Sequence, residues 1–321
     1  MKQMGRDVDI AIRRNYFEDT ILLLGEFTVM GHNMNFVLRV SSFGSRSAGE
    51  NLQVYFGLLD DTMRDFTETR YLYPLDKIRV SEEKLMIRAD DVEIYETAYG
   101  LKMFVKYDEV TLDFLVSNDG HKSTFQPLGK GNFSNRMEGY SYPYCTLEGT
   151  ALIGTNYCEV NGQAFYVRRF QNHGGFFDRK LGQTAILRGS DNNGEKALRS
   201  LYGFFVLSNG RRVMFASYGN DREQDDYFGI STVTGAEEIK AEPILISASE
   251  FGGEVGEAGM DVTVRVRSVN DEVSLKTRRD LIRTEEVAPD NKDFCIYDRF
   301  ARMGGRFHGE KVSGYGCMIY T

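Results

Sequence analysis

A chain of 321 residues is longer than one small β-barrel needs, and at about 100–200 residues per domain it predicts two domains. Hydrophobic residues make up 41% and charged residues 27%, as in a globular protein that folds throughout, and the formal net charge of −8 excludes a phosphate-backbone binder, which needs clustered Lys and Arg. Aromatic content carried by 22 Phe and 18 Tyr without any Trp, with 33 Gly and 5 Pro, favours strands and tight turns, so the expected class is all-β.

The N-terminus, MKQMGRDVDIAIRRN, has no apolar run of signal-peptide length, and no later segment reaches the roughly 18–20 apolar residues that span a bilayer. A soluble, cytoplasmic protein is expected. The first clear element places Met34, Phe36, Leu38 and Val40 on one face of a half-buried strand. Val110, Leu112, Phe114 and Val116 repeat the pattern, and a hairpin is expected to follow at Asn118-Asp119-Gly120. In Gly139-Tyr140-Ser141-Tyr142-Pro143-Tyr144, strand alternation predicts Tyr140, Tyr142 and Tyr144 on a single face. Tyrosine joins an apolar ring to a hydroxyl, so such a ladder either holds an unsaturated carbonyl compound or fills a core and bonds to backbone.

The next strand runs through VNGQAFYVRRFQNHGG from Val160, with Phe165, Val167, Arg169, Gln171 and His173 on one side and Tyr166, Arg168 and Phe170 on the other. Facing a cavity, the first side offers an aromatic wall followed by a cation, an amide and an imidazole. As an edge strand, it would instead send its arginines into solvent. The loop QNHGGFFDRKLGQ marks the predicted boundary between domains at 1–172 and 173–321, with Gly174-Gly175 as a hinge or surface turn. Beyond it, LYGFFVLSNGRRVMFASYG reads as two strands joined by a type I′ turn at Asn209-Gly210. Arg211-Arg212 and Arg278-Arg279 read as solvated strand ends, and Val262, Val264 and Val266 alternate with Thr263, Arg265 and Arg267. Glu159-Val160-Asn161-Gly162 is echoed by Lys311-Val312-Ser313-Gly314 ahead of the final GCMIYT, as a duplicated domain would require.

Local catalytic motifs are missing: there is no P-loop, G-x-G-x-x-G, G-x-S-x-G or H-E-x-x-H. His32, His121, His173 and His308 are too scattered for a metal pair, and Asp90-Asp91, Asp191 and Asp225-Asp226 sit in turn-like contexts, so no metal is assigned. Cys145, Cys158, Cys295 and Cys317 form no C-x-x-C and are expected to be free thiols, although Cys145 and Cys158 could face each other across a hairpin.

The segments around Tyr140 and Val160 also carry a resemblance. Tyr140-Ser141-Tyr142-Pro143, Gly149, Val160-x-Gly162 and Phe165 to Phe170 follow the order of the Y-S-x-P and V-x-G-x-x-W-x-D-x-Q-W-G motifs of the hydroxyneurosporene synthase (carotenoid 1,2-hydratase) superfamily. That group of double lipocalin-like proteins includes tocopherol cyclase and the lipocalin-like Diels-Alderases. LSNGRRVMFASY and KVSGYGCMIY are similar to its second-domain stretches, so the resemblance covers about residues 130–321, and the first 120 only by strand pattern. It implies two tandem lipocalin-like antiparallel β-barrels or sandwiches, with a pocket at their junction. Phe165 and Phe170 stand where the motif has Trp, Val167 where it has Asp, and Arg169 where it has Gln. Valine cannot protonate an alkene, so carotenoid hydration is not expected.

The resulting expectation is a cofactor-independent cyclase, of Diels-Alderase type, acting on a hydrophobic polyene or isoprenoid intermediate. Arg169, His173 and Tyr142 are the expected catalytic groups, with Tyr140, Phe165, Phe170 and Tyr202 as the apolar wall. Arg169→Ala is expected to lower turnover with the fold intact. Two alternatives stay open: an isoprenoid isomerase or hydratase using acid–base chemistry, and a carrier that leaves its lipophilic ligand unchanged.

Overall fold

A computed structural model describes residues 18–43, 51–74, 77–80, 85–118, 123–125, 135–173, 199–219, 224–232, 235–238, 244–252, 258–267, 272–278 and 297–320. Every regular element longer than a turn among them is a strand. No described helix is long and apolar enough to cross a membrane. Contacts divide the chain into two compact units, Met1–Phe125 with Glu138–Asn172, and Gln126–Met137 with His173–Thr321.

The first sheet contains β1 (Glu18–Val29), β2 (His32–Phe43), β3 (Asn51–Asp60), β4 (Asp65–Pro74), β5 (Arg79–Val80) and β6 (Met86–Arg88). It continues with β7 (Val92–Glu96), β8 (Leu101–Tyr107), β9 (Val110–Asn118), β10 (Ser123–Phe125), β11 (Asn135–Ile153) and β12 (Asn156–His173). Its order is β4-β3-β2-β1-β12-β11-β9-β8-β7-β6-β5, with β10 beside β11. The second holds β13 (Arg199–Leu207), β14 (Arg212–Gly219), β15 (Gln224–Thr232), β16 (Gly235–Glu238) and β17 (Ile244–Gly252). It closes with β18 (Ala258–Arg267), β19 (Glu272–Arg278), β20 (Tyr297–Phe307) and β21 (Glu310–Tyr320), in the order β16-β15-β14-β13-β21-β20-β19-β18-β17. In each sheet the first long strand of the unit pairs antiparallel with its last, β1 with β12 and β13 with β21.

Both sheets curl. In a flat sheet β2 and β9, four steps apart, would be separated by roughly 19 Å at about 4.8 Å per strand. Yet Phe36 of β2 and Phe114 of β9 have ring centroids 5.9 Å apart, and Phe27 lies 5.4 Å from Phe114. Residues from both flanks therefore fill one interior cluster, including Ile21, Leu38, Val54, Ile94, Val105 and Leu112. In the second sheet, β15 and β17 touch although seven steps separate them along the ladder, and Phe205, Phe215, Val264, Leu275 and Met303 share one core.

The alternating strands behave as expected where one face is polar. Val110, Leu112, Phe114 and Val116 are buried while Thr111, Asp113, Leu115 and Ser117 are half-buried, and Val262, Val264 and Val266 are buried beside exposed Arg265. β2 differs: Val37 and Arg39 are as buried as Phe36 and Leu38. The neighbouring run Ile21-Leu22-Leu23-Leu24 shows why, because an unbroken apolar strand is the signature of a sheet buried on both faces.

Several local expectations are corrected. The hairpin at Asn209-Gly210 forms, but Leu207 and Arg211 close a three-residue loop. Gly210 (φ +80) alone supplies the left-handed residue, where a type I′ turn needs two. That geometry belongs instead to Met30-Gly31 (φ +52, +82) and His308-Gly309 (φ +49, +81). β9 does not fold back on itself after Asn118, because β8 and β11 occupy both its edges and β10 pairs with β11; Asp119 and Gly120 lie outside the described residues. Asp225 and Asp226 sit in β15 rather than a turn. Arg212 is buried, with Arg211 stacked 4.8 Å from the Phe307 ring, so this basic pair is packed rather than solvated. Cys145, Cys158 and Cys317 are free thiols, whereas Cys295, Asp191, His121, Arg279 and the loop with Gly174-Gly175 lie outside the described residues.

At the turn after β3, Asp60 accepts hydrogen bonds from the backbone N–H of Thr62 and Met63 (both 2.9 Å) and contacts His32 Nδ1 at 2.6 Å. Burial alone would raise the Asp60 pKa, but the His32 bond and the two backbone donors outweigh it and hold the carboxyl below its ordinary value. A depressed carboxylate contributes stability that is complete above its unfolded pKa and is lost as pH falls through the lowered folded value. Asp60→Asn should therefore cost about 1 kcal/mol at neutral pH and flatten the acid limb below about pH 4, measurable by urea denaturation at stepped pH.

Candidate active site

β12 determines which side chains meet. Its residues Val160, Ala164, Tyr166 and Phe170 join the interior cluster of the first unit, so Arg168 points inward as well. On β1, Ile21 and Leu23 face the same interior, which carries Asp19 inward opposite Phe170 in the ladder. The two charges meet there: Arg168 Nη2 donates to Asp19 Oδ2 at 2.8 Å, with each side chain 1% exposed. The Arg168 guanidinium lies 5.3 Å from the Phe170 ring centroid, close enough for a cation–π attraction that water would otherwise weaken.

Three phenols share this interior with the pair. Tyr140 and Tyr142 of β11 meet edge to face at 5.8 Å, and both tilt against Tyr166 at 6.4 and 6.1 Å. Much of the surrounding interior is hydrocarbon, with the Phe27, Phe36 and Phe114 rings packed together, and buried Asn118 keeps step with Val116 on the same face of β9. Ionised groups are tolerated in such surroundings only when paired, and the low dielectric strengthens whatever hydrogen bond they make. Chemically, the group offers hydroxyl donors, a guanidinium and a carboxylate against apolar walls.

Of the residues expected from sequence, Tyr142, Tyr140 and Phe170 come together here. Arg169 and Phe165 do not, because alternation puts them on the opposite face of β12. There Arg169 lies opposite Thr20, whose hydroxyl is 2.7 Å from Ser41 Oγ, and Arg39, two residues from Ser41 along β2, donates to Gln53 Oε1 at 2.7 Å. A sheet thus separates Arg169 from Tyr142, and one pocket on either face cannot use both. Arg169 is also 1% exposed, so Arg169→Ala would empty a buried side chain and would not leave the fold untouched. Tyr202 belongs to the second unit, opposite Ala216 and Ile319 in the ladders and on the face away from Leu201 and Phe205. His173 ends β12, and its side chain, like that of Gln171, lies outside the described residues.

The tyrosine ladder is shorter than alternation implies. Tyr140 and Tyr142 face inward, Tyr144 is half-buried, and Cys145 takes the next inward place, so the pattern slips by one residue at Pro143. Proline has no N–H for the ladder and marks such slips, and the Cys145 thiol instead contacts the Tyr142 carbonyl at 3.4 Å. Asp19 and Arg168 escaped the reading from sequence. Their signal was present, since Asp19 keeps step with Ile21 and Leu23, and Arg168 with Tyr166 and Phe170.

No family model and no curated protein matches the sequence. Solved structures do match the fold. A protein described as AttH from Nitrosomonas europaea aligns with TM-score 0.67 at 14% identity, covering 100% of this chain and 97% of that one. Kievitone hydratase from Nectria haematococca gives TM-score 0.61 at 10% identity over 100% and 95%. CghA in complex with Sch210972 gives 0.52 at 10% identity over 95% and 88%. With two curled antiparallel sheets matched end to end by these structures, the chain has the tandem lipocalin-like fold that its motif order implies.

Proposed function

We propose that the protein is a cofactor-independent enzyme that takes a hydrophobic polyene or isoprenoid biosynthetic intermediate into the first unit and accelerates its cyclisation. The observation that carries this reading is the enclosed set of Tyr140, Tyr142, Tyr166, Arg168 and Asp19 within a mostly apolar interior. Apolar walls would hold a flexible chain with its reacting ends close, which can remove several kcal/mol of barrier. A phenol hydroxyl of Tyr140 or Tyr142 would donate to a carbonyl conjugated with the diene or alkene, stabilising the charge that builds on oxygen. Arg168, fixed by Asp19 and Phe170, would add a positive field at the same end. A cycloaddition redistributes bonds without net oxidation, so it needs no cofactor.

Asp19 favours a second reading, acid–base isomerisation or hydration, because it supplies an interior carboxylate to a chain whose motif Asp position, on the other face of β12, is Val167. Incubating candidate polyenes with the protein in D2O separates the readings by mass and retention time. Cyclisation should give a product of unchanged mass and shifted retention without carbon-bound deuterium. Deuterium on carbon or addition of water would support the acid–base route, and recovery of unaltered substrate throughout would leave only a carrier.

A further inference from the structure

Tyr140, Tyr142, Asp19 and Arg168 are each at most 7% exposed, so a molecule reaching them requires part of the wall to move. Most of that wall is laddered: from β4 through β3, β2, β1, β12, β11, β9, β8, β7 and β6 each strand is hydrogen-bonded to its neighbours. Among the described strands no ladder joins β4 to the β5–β8 side. Closure there is made by side chains. Tyr71 and Tyr73 of β4 stack at 5.8 Å, and Tyr71 meets Tyr107 of β8 edge to face at 6.4 Å. Tyr73 donates to Asp91 Oδ2 at 3.3 Å, and Tyr71 to the Lys106 carbonyl at 3.5 Å.

All three rings are only partly buried, yet they pack on the interior cluster. Tyr71 also shares one continuous rung with Arg168, through Val54, Val40 and Ile21. Separating β4 from β7–β8 would break two long phenol hydrogen bonds and ring contacts, whereas opening any laddered neighbour breaks a row of backbone bonds. Burial, reinforced by the Asp91 carboxylate, pushes the Tyr73 pKa upward, so the phenol stays a donor across the neutral range.

We infer that Tyr71, Tyr73 and Tyr107 form a gate between β4 and β7–β8 through which elongated hydrophobic ligands enter and leave the first unit. The inference rests on the reading that this interior binds such molecules, and it concerns the route alone. A gate contributes to rates of passage and not to the bound state, so weakening it should raise association and dissociation together.

The test uses stopped-flow binding of cis-parinaric acid, a fluorescent conjugated tetraene, to the full chain. Tyr73→Phe, which keeps the ring and removes the hydroxyl, should raise both rate constants about three- to tenfold with Kd unchanged. The Tyr71→Phe, Tyr73→Phe pair should raise them further, while Tyr99→Phe, at an exposed tyrosine outside the gate, should change neither. Hydrogen exchange across residues 65–74 should quicken in the same variants. Binding with unaltered rates in both gate variants would overturn the gate and leave the interior site standing. Failure of the unmodified protein to bind the tetraene would overturn the interior site, and the gate with it.

Discussion

Asp19→Asn should lower the stability of the protein by about 3–5 kcal/mol, because it removes one charge of a pair buried from water and leaves Arg168 facing a neutral amide. The size follows from burial. With both side chains 1% exposed, neither solvent nor salt can screen the remaining guanidinium, and asparagine keeps the shape while losing the attraction. The chain has no Trp, so urea unfolding is best followed by circular dichroism or tyrosine emission. Replacing both partners with apolar residues, as Asp19→Leu with Arg168→Met, should restore most of that loss, since a buried pair offsets its own desolvation only partly. Turnover should nevertheless fall in the double variant, which no longer carries the Arg168 charge beside the phenols. A stable double variant with full turnover would remove the pair from the site and assign it to folding alone, and an Asp19→Asn protein of unchanged stability would show that the contact contributes nothing.

How the site could be read from sequence depends on which face of a strand was followed. Alternation separated Phe165, Val167 and Arg169 from Tyr166, Arg168 and Phe170 correctly, but only one of the two sides could be favoured, and the motif drew attention to Val167. A strand buried on both faces removes the contrast between polar and apolar sides that usually marks the interior. β9 and β18 kept that contrast, and their inward residues were legible one by one. Asp19 was harder to see because its partner is 149 residues away, and no local pattern reports a long-range ion pair. The slip at Pro143 is similar in kind, since one residue without an N–H reassigns Tyr144 and Cys145 while the composition of the segment stays strand-like.

The repeated Val-x-Gly was legible and has a steric cause that a second experiment can expose. Gly162 of β12 lies opposite Phe27 of β1, and Gly314 of β21 lies opposite Leu207 of β13, the same place in each unit's pairing of first and last strand. A Cβ on Gly162 would fall 2.0 Å from the Glu26 carbonyl oxygen, and one on Gly314 would fall 2.4 Å from that of Val206. Both obstacles are backbone, which cannot rotate aside as a ring or methyl can, so the strands would have to part. Gly162→Ala should therefore cost about 3 kcal/mol, an effect opposite in sign to the usual gain from replacing a flexible glycine. Gly314→Ala should cost less, because its approach to the backbone is longer and its other near neighbour, Leu207 Cδ2 at 2.8 Å, ends a flexible side chain. Thermal unfolding gives the totals, and hydrogen exchange gives the location, with faster exchange expected in β1 and β12 for the first variant and in β13 and β21 for the second. Equal tolerance of alanine at both positions would mean that the two glycines reflect chain history rather than the close passage of strands.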